Sequence, residues 1–286
     1  MSAAPTVARF GARLAAASAE HGPLCAGIDP HAPLLAAWGL DDDATSVERF
    51  GRTVVEVLAG HVAAVKPQVA FFERHGSRGV AALERVLADA REAGLLTVVD
   101  AKRGDIGSTM GAYADAFAGD SPLAGDALTV SPFLGFESLR PVLDVAAAHG
   151  RGVFVLALTS NLEGAGVQHA VAADGRSVAR TIVEAVAGEN TGVVPLGDVG
   201  LVVGATVGVA VAELGLDLGA VNGPLLAPGV GAQGATAEDL RTVFGDARRL
   251  VLATSSREIL GAGPGPQALR DAARRTADQV RSALTD

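Results

Sequence analysis

With 286 residues, 49% of them hydrophobic, the chain is long enough for a sizeable core in one large domain or two small ones. A net charge of −9 at pH 7 argues against a general nucleic-acid binder, which carries a basic face. It leaves room for a small anion held by a few local positive groups.

One cysteine, Cys25, excludes an intramolecular disulfide framework and a four-Cys zinc site. In its apolar run it reads as a core residue. No apolar run reaches the ~18 residues of a membrane span. The N-terminus lacks a basic-then-apolar signal pattern. The expectation is a soluble cytoplasmic protein with neither nucleic acid nor membrane as partner.

In chain order, residues 6–20 read as an extra amphipathic helix ahead of the first strand. Leu24–Ile28 is a short apolar run ending in Asp29-Pro30-His31. Similar runs recur at Val62–Val65, Leu95–Val99, Ala127–Val130, Val153–Leu158, Val199–Val203, Leu225–Ala227 and Leu250–Ala253. Between them lie segments of helical period, with Val80, Leu83, Leu87 and Ala90 on one face and Leu269, Ala273, Val280 and Leu284 on another.

Strands alternating with helices imply parallel pairing with right-handed crossovers. Eight such units fit a single-domain (β/α)8 TIM barrel, for which ~250 residues is typical. An open doubly wound sheet is the alternative, but it carries a Gly-rich turn after its first strand. Here that strand ends in Asp-Pro-His. Segments 30–61 and 159–198 exceed a minimal unit and are expected to hold extra loops or short helices at the barrel mouth.

The chemistry concentrates in Asp100-Ala101-Lys102-Arg103-Gly104-Asp105, after the third strand. Asp100 and Lys102, two apart, point to one side of an extended strand. Gly104 and Gly107 permit a sharp turn, and Ser108 or Thr109 is expected to cap the next helix. Lysine is scarce: Lys66 and Lys102 stand against 21 arginines. A lysine kept under that bias points to a need for a compact amine.

Lys66, Asp100, Lys102 and Asp105 then read as an alternating charge array. It suits a proton donor and a preorganised field better than a Schiff-base lysine. Other polar groups at strand ends are Asp29, Ser131, Thr159 with Asn161, Thr206, the Pro228–Gly234 loop with its lone Gln233, and Ser255-Ser256-Arg257. In a barrel all of these converge on one mouth. A Gly-rich loop after strand seven, and a helix start with Arg257 after strand eight, make a phosphate site.

Asp-x-Lys-x-x-Asp-Ile-x-x-Thr, here Asp100 to Thr109, resembles the signature of the orotidine 5′-phosphate decarboxylase family. So do the Leu24–His31 opening, Lys66-Pro67-Gln68 with Phe71-Phe72-Glu73, Ser131-Pro132-Phe133, and Pro228–Gly234. Together they are similar to the longer bacterial, actinobacterial-type branch, over about residues 6–260.

The resemblance implies a barrel enzyme that converts orotidine 5′-phosphate to UMP without metal or other cofactor. Asp29 and Lys66 would hold ribose hydroxyls, Asp100 would face the substrate carboxylate, and Lys102 would protonate pyrimidine C6. Asp105, Ile106 and Thr109 would reach the neighbouring subunit's site in a homodimer. Ser131, with Pro132, would read the pyrimidine edge; Gln233 and Arg257, with Pro228 and Ser256 alongside, would bind phosphate. Thr159 and Asn161 join the expected substrate contacts. The competing readings are a related lyase or aldolase acting on a sugar phosphate, and a non-catalytic nucleotide-binding protein.

Overall fold

The computed structural model describes residues 8–229 and 235–285. Eight parallel strands close into a barrel in sequence order: β1 Leu24–Ile28, β2 Ala64–Pro67, β3 Leu96–Arg103, β4 Ala127–Val130, β5 Gly152–Leu158, β6 Val199–Val203, β7 Leu225–Pro228 and β8 Val251–Ser255. The ring shuts where β8 pairs with β1, Cys25 opposite Thr254. The (β/α)8 barrel expected from the alternation of apolar runs is therefore the fold. The short Ala/Val/Leu strands are buried on both faces, as parallel strands covered by helices must be.

Alternation along each strand separates two cores. Cys25, Ala64, Leu96, Val98, Ala127, Phe154, Val202, Leu226 and Leu252 fill the barrel interior. Leu24, Val65, Val99, Leu128, Val155, Leu201, Leu225 and Ala253 pack outward, against the helices. Helix Gly76–Glu92 buries Leu83, Leu87 and Ala90, with Val80 at its edge. The C-terminal helix Pro266–Thr285 buries Leu269, Ala273 and Val280, with Leu284 half-buried. Helix Ala44–Leu58 starts at Asp43, whose carboxylate accepts the Ser46 N–H at 2.8 Å.

The N-terminal helix, Phe10–His21, closes the end of the barrel opposite the strand C-termini. Phe10 and Leu14 enter the interior cluster, and the Phe10 ring meets Phe154 edge-on with centroids 5.9 Å apart. Asp198, just before β6, holds the helix start: it accepts from Arg9 at 2.6 Å and from the Gly11 N–H at 2.8 Å. Phe10→Ala should lower the free energy of unfolding by about 3–5 kcal/mol, the usual result of truncating a fully buried Phe. Urea denaturation measures it; a loss under about 1 kcal/mol would show that the barrel closes without this plug.

The two long segments carry extra structure on the opposite rim. After β1 comes a short helix, Ala32–Ala37, and Trp38 donates its indole N–H to the Leu260 carbonyl at 2.9 Å. After β5 come a 3-10 turn, Leu162–Gly164, a short helix, Ala165–Gln168, and a bridge between Val171 and Ser177. Among the described residues no helix is long and apolar enough to cross a membrane.

Candidate active site

The inward parity of each strand continues past the apolar interior to the mouth, and there it becomes polar. Leu96 and Val98 lead to Asp100 and Lys102, Ala64 to Lys66, Cys25 to Asp29, Ala127 to Thr129, and Leu252 to Thr254 and Ser256. These polar residues line a cavity of about 890 Å³ at the strand C-termini. Inward residues of β5 to β7 stay apolar: Leu156, Val202 and Leu226 wall the other half. The site is thus charged on the β1–β4 side and apolar on the β5–β7 side.

At the centre of the charged half is Asp100. Lys66 Nζ donates to its Oδ2 at 2.9 Å, Lys102 Nζ to its Oδ1 at 2.6 Å, and the Thr129 hydroxyl to Oδ1 at 2.9 Å. Lys66 also lies 3.9 Å from Asp29 Oδ1. Its exposure is 6%, so it is no snorkelling surface lysine. Burial alone would neutralise these groups, but their mutual charges overcome it. Lys66 and Lys102 hold the Asp100 carboxyl well below the usual carboxylate range against the desolvation that would raise it. For Lys66, Asp100 and Asp29 outweigh desolvation and lift the ammonium above its ordinary value. Cys25, beneath them in the interior, is buried and its thiol is pushed up to about 12, chiefly by desolvation, which makes it inert.

β3 runs four residues beyond the apolar run that announces it, because its last inward positions are the charged ones. The β3–β4 register slips between Val99 and Arg103, and Lys102 sits at φ +48. Past the strand, Gly104 packs so closely on the Ser131 carbonyl that a Cβ has no room. Gly107, at φ +54, opens the next helix, Gly107–Ala118. The expected cap by Ser108 or Thr109 is not made. Ile106 is the N-cap residue, no side chain caps the helix, and the left-handed glycine starts it before either hydroxyl.

Of the expected residues, Asp29, Lys66, Asp100, Lys102, Thr159, Asn161, Pro228, Ser256 and Arg257 line the cavity. Ser256 donates to Asp29 Oδ2. Asp29 Oδ1 and Ser255 Oγ are buried at the wall without a hydrogen bond in the chain, Asp29 Oδ1 having only the Lys66 ammonium at 3.9 Å. Gln233 lies outside the described residues. Thr206 is exposed and off the cavity. Ser131 and Pro132 are half-buried beside the β3 turn and do not line it either; the Ser131 N–H is bound to the Arg103 carbonyl at 2.8 Å.

Asp105, Ile106 and Thr109 also lie outside their own chain's cavity. The Asp105 carboxylate accepts the Ile106 N–H at 2.8 Å and does not join the Lys66–Asp100–Lys102 array. The cavity adds residues that had not been singled out as candidates: Gln68, Thr129, Ser160 and Thr254. Counting inward parity outward from the interior would have found Gln68, Thr129 and Thr254.

The arrangement offers an ammonium at the cavity surface, a carboxylate fixed beside it, and a guanidinium at a helix start. Among the described residues no group of three or more His, Cys, Asp or Glu is placed to hold a metal ion. The barrel and its Lys66–Asp100–Lys102 array agree with what the chain is similar to. Residues 22–272 match the model of the orotidine 5′-phosphate decarboxylase / HUMPS family. An orotidine 5′-phosphate decarboxylase of Salinispora arenicola is 61% identical over 277 residues, covering 96% of this chain and 98% of that one. One from Streptomyces coelicolor is 60% identical, with 96% and 98% covered. The crystal structure of a Streptomyces avermitilis protein of the same designation superposes with a TM-score of 0.93 at 59% identity, covering 98% of this chain and 97% of that one. With a barrel, a charge array and near-full-length likeness all in agreement, the chain belongs to the orotidine 5′-phosphate decarboxylase / HUMPS family.

Proposed function

We propose that this protein decarboxylates orotidine 5′-phosphate to UMP, a step of de novo pyrimidine synthesis, with Lys102 as the proton donor. The observation that carries the reading is the Lys66–Asp100–Lys102 array at the mouth of the cavity. The C6–carboxylate bond breaks, carbon dioxide leaves, and the electron pair stays on C6. That carbanion has no neighbouring electron sink, so a cation fixed beside it stabilises charge that appears only as the bond breaks. The Lys102 ammonium then gives C6 its proton and regains one from water.

Asp100 orders both lysines and faces the departing carboxylate. Asp29, whose buried Oδ1 makes no hydrogen bond within the chain, and Lys66 suit the ribose hydroxyls. Arg257, at the start of helix Arg257–Leu260, suits the phosphate together with the Pro228–Gly234 loop and its Gln233. Thr159, Ser160 and Asn161 supply polar groups for the pyrimidine edge at the cavity wall, which Ser131 does not line. The sugar-phosphate lyase reading needs a carboxylate free to bind metal. Here both oxygens of Asp100 are engaged, two ammonium groups among their partners.

The active form is a homodimer with shared sites. Ile106, Phe133 and Leu134 are 61%, 76% and 53% exposed on the neighbouring loops after β3 and β4, an apolar surface suited to a second copy. It would carry Asp105, Ile106 and Thr109 toward the partner's cavity. A diffusible nucleotide substrate and the lack of a membrane-crossing helix among the described residues fit a cytoplasmic enzyme.

Loss of orotidine 5′-phosphate absorbance, followed with EDTA-treated protein, tests the reading. Full turnover without added metal is expected. No turnover, or turnover that returns only with a divalent cation, favours the sugar-phosphate lyase reading instead.

A further inference from the structure

We infer that Thr129, a residue of β4, is a positioning residue that sets the geometry of the Asp100–Lys102 pair through a closed ring of hydrogen bonds. The inference rests on the decarboxylase reading and adds a residue to it. Between Val99 and Arg103 three residues of β3 stand opposite one residue of β4, because Val99 pairs with Leu128 and Arg103 with Val130. That one residue is Thr129. A bulge of this kind removes regular ladder partners and re-aims side chains.

Thr129 replaces what the bulge removes. Its hydroxyl oxygen accepts the Lys102 backbone N–H at 3.0 Å, and its O–H goes to Asp100 Oδ1 at 2.9 Å. The same Oδ1 takes the Lys102 ammonium at 2.6 Å. The ring therefore ties the backbone of Lys102, its own ammonium and the carboxylate together through one hydroxyl. It holds Lys102 at φ +48, a conformation that a side-chain-bearing residue keeps only when its surroundings enforce it. Thr129 is 1% exposed, so no solvent substitutes for the hydroxyl. Leu156 and Val202, the inward residues of the next two strands, show what this wall would otherwise present.

Thr129→Val keeps the shape and removes only the hydroxyl. With orotidine 5′-phosphate, kcat should fall about 10- to 100-fold while KM stays within about threefold, since the ammonium is displaced rather than the binding groups. Thr129→Ser restores the hydroxyl and should recover kcat to within about threefold of wild type. Leu128→Ala, on the outer face of the same strand, should lower the melting temperature and leave kcat unchanged, which separates positioning from strand stability.

If the Val variant does not fold, Thr129→Ala, which needs no more room than the native side chain, is read in the same way. Unchanged kcat in a folded Val or Ala variant overturns the inference. So does a kcat loss that Ser does not recover, or one matched by Leu128→Ala. An inactive wild-type protein defeats the decarboxylase reading itself, and this inference with it; an active one with an indifferent Thr129 defeats this inference alone.

Discussion

Lys102→Ala should lower kcat for orotidine 5′-phosphate by about 10⁴-fold or more, because in the proposed mechanism it removes both the proton donor and the cation that meets the developing charge. UMP affinity should change by less than about tenfold, since the proposed ribose and phosphate contacts are made by other groups and each tenfold is only about 1.4 kcal/mol. The fold should survive. The Lys102 side chain is 46% exposed, and Asp100 keeps Lys66 and Thr129 when Lys102 is gone. Lys66 is the instructive contrast. It is buried between Asp100 and Asp29, so its removal strands a buried carboxylate and costs about 3–5 kcal/mol of stability before catalysis is considered. The clean test is therefore at 102, with steady-state decarboxylation for kcat and UMP titration for binding. Turnover within tenfold of wild type would place the proton elsewhere.

Much of the barrel was legible from periodicity, because its strands are short apolar runs with helices of matching period between them. Three of the four expected members of the charge array were legible because Asp100 and Lys102 share a parity and lysine is rare in this chain; Asp105, past the turn, is not part of it. The bulge was not. Nothing in Val98-Val99-Asp100-Ala101-Lys102-Arg103 announces that three of these residues will oppose one on β4, since that depends on the pairing of two distant segments. The role of Thr129 was hidden for the same reason, although its inward parity was countable. A lone threonine in a strand is an ordinary β-former until the register makes its hydroxyl the partner of Lys102 and Asp100.

Ser131 illustrates the opposite error. Its position at the end of β4 points to the mouth, yet the turn at Gly104 folds over it and engages its backbone. Ser160, which does line the cavity, sits in the long segment after β5, where the irregular path has no period to count. Its neighbours Thr159 and Asn161, read as strand-end polar groups, do line the cavity, so position just past a strand was a usable signal for them and a misleading one for Ser131.

The segment that carries Asp100 and Lys102 continues into Asp105, Ile106 and Thr109, which do not line the same cavity. If it serves two sites, one in each subunit, inactive variants should complement each other. Asp105→Ala and Lys102→Ala dimers, each inactive alone, are mixed and allowed to exchange subunits. In a heterodimer one site combines both lesions. The other receives its lysine from the Asp105→Ala chain and its aspartate from the Lys102→Ala chain, and is intact. Random exchange in equal proportion then gives about a quarter of wild-type activity, half the dimers having one good site of two. Native mass spectrometry verifies the exchange. Activity that stays at the level of the separate variants, despite verified heterodimers, would assign Asp105 to its own chain's chemistry. Recovery makes the turn at Gly104, between Lys102 and Asp105, the element that divides one loop between two active sites, and makes dimerisation a condition of turnover.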